Sequence, residues 1–596
     1  MRNTYDAQPF EIRSRIYWLA FVFALVVAAL GFRLWYLQIK EGRMLLEAAN
    51  NNRIRIIRTK APRGNILDAR GIPIAQSKKL FIISAIPEKF ENKPEELAEF
   101  CHILGISRQD YHEIVNNSSL PAGAPVRIAV DVPFSTIVTL GEHRMLFDGV
   151  VIENDFVRHY PRGRYFSHLT GYLREISGDS LKAAREQGKQ YRMGDYVGVF
   201  GLEKYYEDQL RGVDGGQRIE VNAAGRVVKN LGQQQSVPGN TLHLTVDSRL
   251  QKAAWDALDG KTGALAAVEP GTGRVLAMVS RPDFDPNIFV RGLKSSDWNK
   301  LVEDKEHPLI NRAAGSVYPP GSTFKPLISA SILQNKAASV YTTVVCPGYY
   351  RLGTYRKGCW TSHGRVDFSR AVSESCDVWF YAASVRLGID KIYETSREFG
   401  LGLATGIDLP EEPSRDGKTG LVPDPDWLEE HAHRKWMKGD TLNVSIGQGD
   451  VLASPLQMAC AISCIANGGT LYRPYLLDRV TDSSGAILCE TKPEKRGSVS
   501  VSAQVLEQIS AAMERTVSSG TGKAAAIPGV RIAGKTGSAQ AAGGPAHGWF
   551  VCFAPAEAPR IAIACIVERG SSGSGSAGPV VRAVLESFFD QKKGNE

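Results

Sequence analysis

The longest unbroken apolar stretch of the chain runs from Ile16 to Ile39, through Tyr-Trp-Leu-Ala-Phe-Val-Phe-Ala-Leu-Val-Val-Ala-Ala-Leu-Gly-Phe, with Arg33 near its end. About 20 such residues cross a hydrocarbon layer as a helix, so the pattern predicts a transmembrane helix over 16–39 with Arg33 snorkelling outward. Arg2, Arg13 and Arg15 precede it. That basic flank, residues 1–15, is expected in the cytoplasm and the bulk of the chain on the other side. A cleaved signal peptide has the same charge order. The length of the apolar run and its continuation as Arg33-Leu-Trp-Tyr-Leu37, with aromatics suited to the interface, predict an uncleaved anchor instead.

From 40 to 237 the pattern is mixed and polar, with extended and helical pieces, and Gln233-Gln-Gln-Ser-Val-Pro-Gly-Asn240 reads as a linker or turn. The texture then changes. Thr241–Asp247 alternates as a strand, Ser248 stands as the cap of a helix, and Gly263–Val279 reads as a β-hairpin about the turn Pro270-Gly-Thr-Gly273. An apolar helical run follows residue 325, then a helix-rich middle. Three strand-like runs (Gly529–Ala533, Gly548–Ala554, Ile561–Val567) and an amphipathic helix from Pro579 complete one α/β domain over 238–596. Ser571–Ser576 alternates Ser and Gly and is expected to be a flexible loop beside a cleft.

At 596 residues the chain suggests two to four domains. A hydrophobic share of 43% and a charged share of 22% are those of a globular protein. The net charge of +8 permits weak attraction to anionic lipid or an acidic polymer. It is not gathered into a basic stripe with interleaved aromatics, which argues against nucleic acid. Five of the nine cysteines, among them Cys460, Cys464, Cys552 and Cys565, lie in apolar runs and read as small core residues.

Chemistry enters at Ser322-Thr-Phe-Lys325, which follows Tyr318-Pro-Pro-Gly321 and opens the helical run. Residues i and i+3 share a helix face, so the lysine amine can reach the serine hydroxyl and help remove its proton. Ser375-Cys-Asp377 and Lys535-Thr-Gly-Ser538 follow in order, the set used by penicillin-recognising serine acyl-transferases. Lys-Thr-Gly occurs three times. Lys261 precedes the nucleophile and Lys418 lies in a polar stretch beginning at Pro413, whereas Lys535 lies among strand-like runs, as a motif on an edge strand lining a cleft should.

With these residues the chain resembles a class B penicillin-binding protein over nearly its whole length. The pedestal pattern of that family is matched by Pro62-Arg-Gly-Asn-Ile-Leu-Asp-Ala-Arg-Gly71, Tyr160-Pro-Arg-Gly163, His168-Leu-Thr-Gly-Tyr172, Gly198–Tyr206 and Leu210-Arg-Gly212. Ala69 departs from it, since arginine is usual there. Asp377, Trp436–Thr441 leading to Ile446-Gly-Gln-Gly449, and a Cys/His-bearing segment before Ser375 are similar to the elongation-type subgroup rather than the division-type one. The resemblance implies a multidomain α/β protein. Its parts are a cytoplasmic tail (1–15), a single transmembrane anchor (16–39), an extended mixed α/β pedestal of dimerisation type (40–237), and a transpeptidase domain with an antiparallel sheet flanked by helices (238–596). It implies cross-linking of peptidoglycan stem peptides outside the inner membrane, inhibition by β-lactams, no organic cofactor, and dependence on a SEDS-type glycosyltransferase (RodA) and other rod-complex proteins.

In that reading Ser322 is the nucleophile and Lys325 the acylation base, an assignment disputed across the superfamily. A base must be neutral, so burial and nearby cations are expected to depress the Lys325 amine. Ser375 relays a proton to the leaving nitrogen, and Asp377 holds Lys325 and the substrate amide. Lys535, Thr536 and Ser538 donate to the terminal carboxylate, Gly537 lets substrate backbone approach, and the N–H groups of Ser322 and Ser538 form the oxyanion hole. A class D β-lactamase shares Ser-Thr-Phe-Lys, but the pedestal, the anchor and Ser-x-Asp argue against it. A β-lactam sensor carries several membrane spans, and one is read here.

Cys346, Cys359, His363 and Cys376 fall in one short region. Three thiolates and an imidazole are a structural zinc set that would tie down the segment before Ser375. A Cys346–Cys359 disulfide and free thiols are the other readings. Asp367 stands near an expected helix start as a possible cap.

Overall fold

The computed structural model describes residues 9–44, 54–116, 118, 120–221, 227–291, 295–410, 419–541 and 543–590. Arg2, Lys418 and the polar stretch 413–417 lie outside the described residues.

Two compact units divide the chain. The first holds residues 1–61 and 213–237. Its helix Pro9–Trp35 runs into a π-helical turn, Tyr36–Lys40, and Ser14–Lys40 is long and apolar enough to cross a membrane, with none of its apolar side chains buried by protein. The same unit carries a three-stranded antiparallel sheet in the order Ile54–Thr59, Gly215–Val221, Val227–Gln234. The third strand takes in Gln233 and Gln234, where the sequence suggested linker. Asp214 closes the sheet by accepting from Arg58 Nε at 2.5 Å and the Ala61 N–H at 2.8 Å.

The second unit holds 62–212 and 238–596. One sheet crosses the expected boundary at 237. Thr241–Leu244 pairs in parallel with Ile66–Leu67 and antiparallel with Leu477–Thr481, and Ile66–Leu67 pairs in turn with Pro73–Ala85. Glu203, fully buried, accepts from Arg63 Nε and Arg158 Nε, both at 2.6 Å, and from Tyr160 Oη at 3.2 Å. Burial works against its carboxylate, but Arg158 and Arg63 outweigh burial and hold its pKa below the usual range.

The larger core is a five-stranded sheet: β1 (Gly263–Val268), β2 (Val275–Arg281), β3 (Ala533–Ala541), β4 (Gly544–Ala554) and β5 (Ile561–Val567), in the spatial order β2-β1-β5-β4-β3 with every pair antiparallel. Both faces are covered, which is why β4 and β5 read as continuous apolar runs rather than as alternation. Phe550, Cys552 and Cys565 pack with Leu250, Val581 and Leu585 of the helices Ser248–Ala257 and Gly578–Phe589. Trp549, Val551 and Ile566 face the opposite core with Met458 and Ile462 of Pro455–Ala466. Asp247, not Ser248, caps its helix: the carboxylate accepts the Arg249 N–H at 2.8 Å and Ser248 is already helical. All nine cysteines are unbridged, and Cys460, Cys464, Cys552 and Cys565, named from the apolar runs, are all buried.

Candidate active site

Ser322 lies in a 3₁₀ turn, Gly321–Phe324, that continues as the helix Lys325–Gln334. The turn is pinned on two sides. Gly321 adopts φ +55° and donates its N–H to Gly447 O at 2.8 Å, while Thr323 Oγ1 donates to Pro320 O at 2.6 Å. Ser375 occupies a second tight turn, between Phe368–Ser373 and Asp377–Leu387, at φ +59°. That conformation is uncommon for a residue with a Cβ and is held here by Cys376 N–H to Ala371 O at 2.9 Å. Asp367 caps the first of these helices by accepting the Arg370 N–H at 2.8 Å. The third element, Lys535–Ser538, lies on β3, the edge strand.

These turns bring the three motifs together around one hydroxyl. Ser375 Oγ accepts from Lys325 Nζ at 3.2 Å and from Lys535 Nζ at 3.0 Å. Lys325 spends its other donors on Asp377 Oδ1 at 2.7 Å and Ser375 O at 2.9 Å, and Lys535 donates to Thr536 O at 2.9 Å. Two lysines donating to Ser375 Oγ leave that hydroxyl's own proton to point elsewhere. Burial, followed by the neighbouring Lys325 charge, pushes Lys535 well below its ordinary pKa against the opposing pull of Asp377. A cleft of about 880 Å³ opens in front of this cluster, lined by Ser322, Ser375, Asp377, Thr536, Gly537 and Ser538. Lys325 and Lys535, both fully buried, stand behind that lining.

Gly537 lines the cleft and has a second close neighbour besides it. A Cβ there would lie 2.9 Å from Thr323 Cγ2 and 3.1 Å from Pro320 O, so the close neighbour is the turn that carries Ser322. The Ser571–Ser576 segment does lie beside the cleft, but Gly573–Ala577 is a packed π-helical turn. A Cβ on Gly573 would stand 2.0 Å from Trp549 O. Lys261 is far from this cluster in role, since its ammonium caps Ala257 O at 2.8 Å on an exposed surface.

Several lining residues carry no signal of their own in the sequence. Thr521 Oγ1 lies 2.6 Å from Thr536 Oγ1, and the Thr521 N–H donates to Ser373 O at 3.1 Å, so one threonine joins the third motif to the end of the helix before the second. Gln448 donates to Ser538 O at 3.3 Å. Lys357 bonds Asn443 Oδ1 from a small hairpin, Tyr349–Leu352 with Tyr355–Gly358. Only the Ile446–Gly449 motif hinted at any of them.

Cys346, Cys359, His363 and Cys376 converge behind the second motif, with their ligand atoms all within 4.8 Å of one another. His363 Nδ1 is 3.6 Å from both Cys346 Sγ and Cys359 Sγ. Ordinary zinc bond lengths in a tetrahedron place sulfur and nitrogen ligands ~3.6 Å apart, so the donor set fits that ion. His363 Nε2 faces Glu374 O at 3.2 Å, a contact that orients the ring. Cys359 Sγ accepts the Asp377 N–H at 3.3 Å. The Cys376 contact and that N–H favour the Cys359 thiolate over burial, and the same sulfur–sulfur contact together with burial pushes the Cys376 thiol up.

Residues 263–586 match the model of the penicillin-binding protein transpeptidase domain, and residues 58–244 match that of the penicillin-binding protein dimerisation domain. The chain belongs to the class B penicillin-binding proteins. Among class B penicillin-binding proteins it is 34% identical to the peptidoglycan D,D-transpeptidase MrdA of Acinetobacter baumannii, over 98% of this chain and 88% of that protein. The penicillin-binding protein PBP2 of Helicobacter pylori, solved in complex with MreC, superposes with a TM-score of 0.77 at 29% identity, covering 90% of this chain and 99% of that one. A chain of a peptidoglycan synthase complex, solved in a study of how polymerization and crosslinking are coordinated, gives 0.73 at 30% identity over 98% and 99%.

Proposed function

We propose that this penicillin-binding protein is the peptidoglycan D,D-transpeptidase of cell elongation and that Ser322 carries the acyl group. The observation that supports this most directly is the convergence of all three motifs on Ser375 Oγ beside the Ser322 cleft. Ser322 Oγ bonds the carbonyl carbon of the penultimate D-Ala, its proton passing to Lys325. The C–N bond to the terminal D-Ala breaks, and Ser375 hands a proton to the leaving nitrogen. An acceptor amine then takes the acyl group and frees Ser322. Asp377 holds the Lys325 amine at 2.7 Å and pairs with the ammonium that forms once the amine has taken the Ser322 proton. Thr536 and Ser538 meet the terminal carboxylate, with Lys535 acting from behind, and the N–H groups of Ser322 and Ser538 receive the oxyanion.

In this reading the N-terminal helix over 16–39 is a single-pass anchor of the inner membrane, with 1–15 cytoplasmic, 40–237 the pedestal and 238–596 the catalytic domain. The partner class is a SEDS-type polymerase (RodA) with other rod-complex proteins. The MreC complex of the Helicobacter relative and the peptidoglycan synthase complex support it. Cys346, Cys359, His363 and Cys376 hold a structural zinc ion, which when bound would fix the segment entering the second motif. Labelling with a fluorescent penicillin tests the central assignment: the label maps to Ser322, deacylates slowly, and is lost in Ser322→Ala. Rapid turnover of penicillin would favour a β-lactamase, and labelling of a folded Ser322→Ala protein would refute the nucleophile.

A further inference from the structure

The cleft holds more positive charge than the reaction above uses. Arg356 and Lys357, on the hairpin that ends at Gly358, line the same cavity as Ser322 and Asp377. Asp377 is the one acidic residue of that lining, and Lys325 occupies it at 2.7 Å. Among the described residues neither hairpin cation touches a carboxylate; Asp377 acts on Lys357 only through space. Each is instead held by neutral groups: the Arg356 guanidinium stacks 3.7 Å from the Tyr349 ring centroid, and Lys357 lies against Asn443 Oδ1 with its ammonium 6.0 Å from the Tyr381 centroid. Aromatic faces and amide oxygens orient a cation without neutralising it.

The hairpin is also fixed in place. Tyr381 Oη donates to Gly358 O at 3.2 Å and the Cys359 N–H to Gly348 O at 2.8 Å, so the two charges stand ready before any ligand arrives. At about 880 Å³ the cleft is at the large end of small-molecule sites and offers room beyond a terminal dipeptide.

Resting on the transpeptidase reading, we propose that Arg356 and Lys357 form a carboxylate-binding subsite for the donor stem peptide, taking an acidic residue that precedes its D-Ala-D-Ala end. The terminal carboxylate goes to the hydroxyls of β3 and the scissile carbonyl to Ser322. The remaining donor chain therefore leaves toward the Asp377 side, where the hairpin stands. An arginine fork beside a lysine suits a carboxylate and discriminates against its uncharged amide.

The test compares two synthetic donor peptides ending in D-Ala-D-Ala that differ only in one upstream side chain, a free carboxylate or its carboxamide. Acylation kcat/KM is read for each. The natural protein should favour the carboxylate by about tenfold or more, the scale of one charge-assisted hydrogen bond. Lys357→Met and Arg356→Gln should bring the ratio toward one, and Lys357→Arg should restore it. A ratio near one in the natural protein, a ratio that survives the double variant, an equal fall for both peptides, or a preference shown only for the acceptor overturns the subsite. Penicillin labelling of Ser322, run on every variant, separates the failures: no label on Ser322 in the natural protein defeats the transpeptidase reading, whereas normal labelling with a flat ratio defeats the subsite alone.

Discussion

Gly447→Ala should disable the enzyme from outside the three motifs. Gly447 lies at φ +66°, and its carbonyl receives the Gly321 N–H that fixes the Ser322 turn. A Cβ built there falls 2.3 Å from Gly321 O and 2.8 Å from Phe324 Cβ. The turn or the loop must therefore retreat by about 1 Å to reach ordinary contact, since a packed interior leaves no slack. The left-handed backbone costs about 1 kcal/mol for alanine, and losing the Gly321 bond about 1 kcal/mol more. With residual overlap, ~2–4 kcal/mol is a fair total. A shift of 1 Å at a reacting group costs on the order of 100-fold in rate. Timed labelling with fluorescent penicillin should thus slow ~100-fold, with melting lowered by roughly 5 °C. Gly439→Ala is the control, because a Cβ there meets nothing within 4 Å. A folded Gly447→Ala protein that labels within a few-fold of the natural rate would show that this contact does not position Ser322.

Three further outcomes follow from the same geometry. Lys535→Ala should cut penicillin acylation by more than tenfold because Ser375 Oγ and Thr536 O lose a common donor, whereas Lys261→Ala should label as the natural protein does; the reverse order would move the motif. Glu203→Gln leaves the buried Arg158 without its carboxylate, while Arg63 keeps Glu207 at 2.8 Å, and should cost ~3 kcal/mol in denaturant unfolding. Its folded-state pKa is depressed, so its contribution is present above the unfolded value of ~4.3 and lost as pH falls through the folded one; a natural protein no more acid-sensitive than Glu203→Gln would contradict this. Purified protein should carry about one zinc per chain, and a strong chelator should lower its melting temperature and slow acylation; a metal-free sample with Cys346 bridged to Cys359 would exclude the ion.

The three motifs that the fold brings together were legible because each is a local pattern set by spacing, as at Ser322 and Lys325. β4 and β5 were legible because burial on both faces writes a continuous apolar run. What stayed hidden depends on distant approach. Nothing in Ser518–Gly522 announces that Thr521 meets Thr536, and nothing around Lys357 announces Asn443. The contact of Gly537 with Thr323 was hidden for the same reason, since only the fold brings the two together. The division at 237 followed a real change of texture, but hydrogen bonding ignores it: Leu242 lies opposite both Ile66 and Val480. The cap of the first domain helix was missed by one residue because Asp247 and Ser248 are both good capping residues.

That shared sheet sets a timetable for the newly made chain. Ile66–Leu67 has its parallel neighbour only once Thr241–Leu244 exists, and that strand in turn waits for Leu477–Thr481. At ~5–20 residues per second, the last wait alone is roughly 10–50 s of synthesis. During it the edge of Thr241–Leu244 and the apolar side chains of Leu242 and Leu244 have no native cover from the C-terminal strand. Closure over so long a sequence separation is also intrinsically slow. The chain is therefore most exposed to misassembly and proteolysis while its second half is still being made, and a truncation anywhere before Leu477 removes the antiparallel cover of Thr241–Leu244.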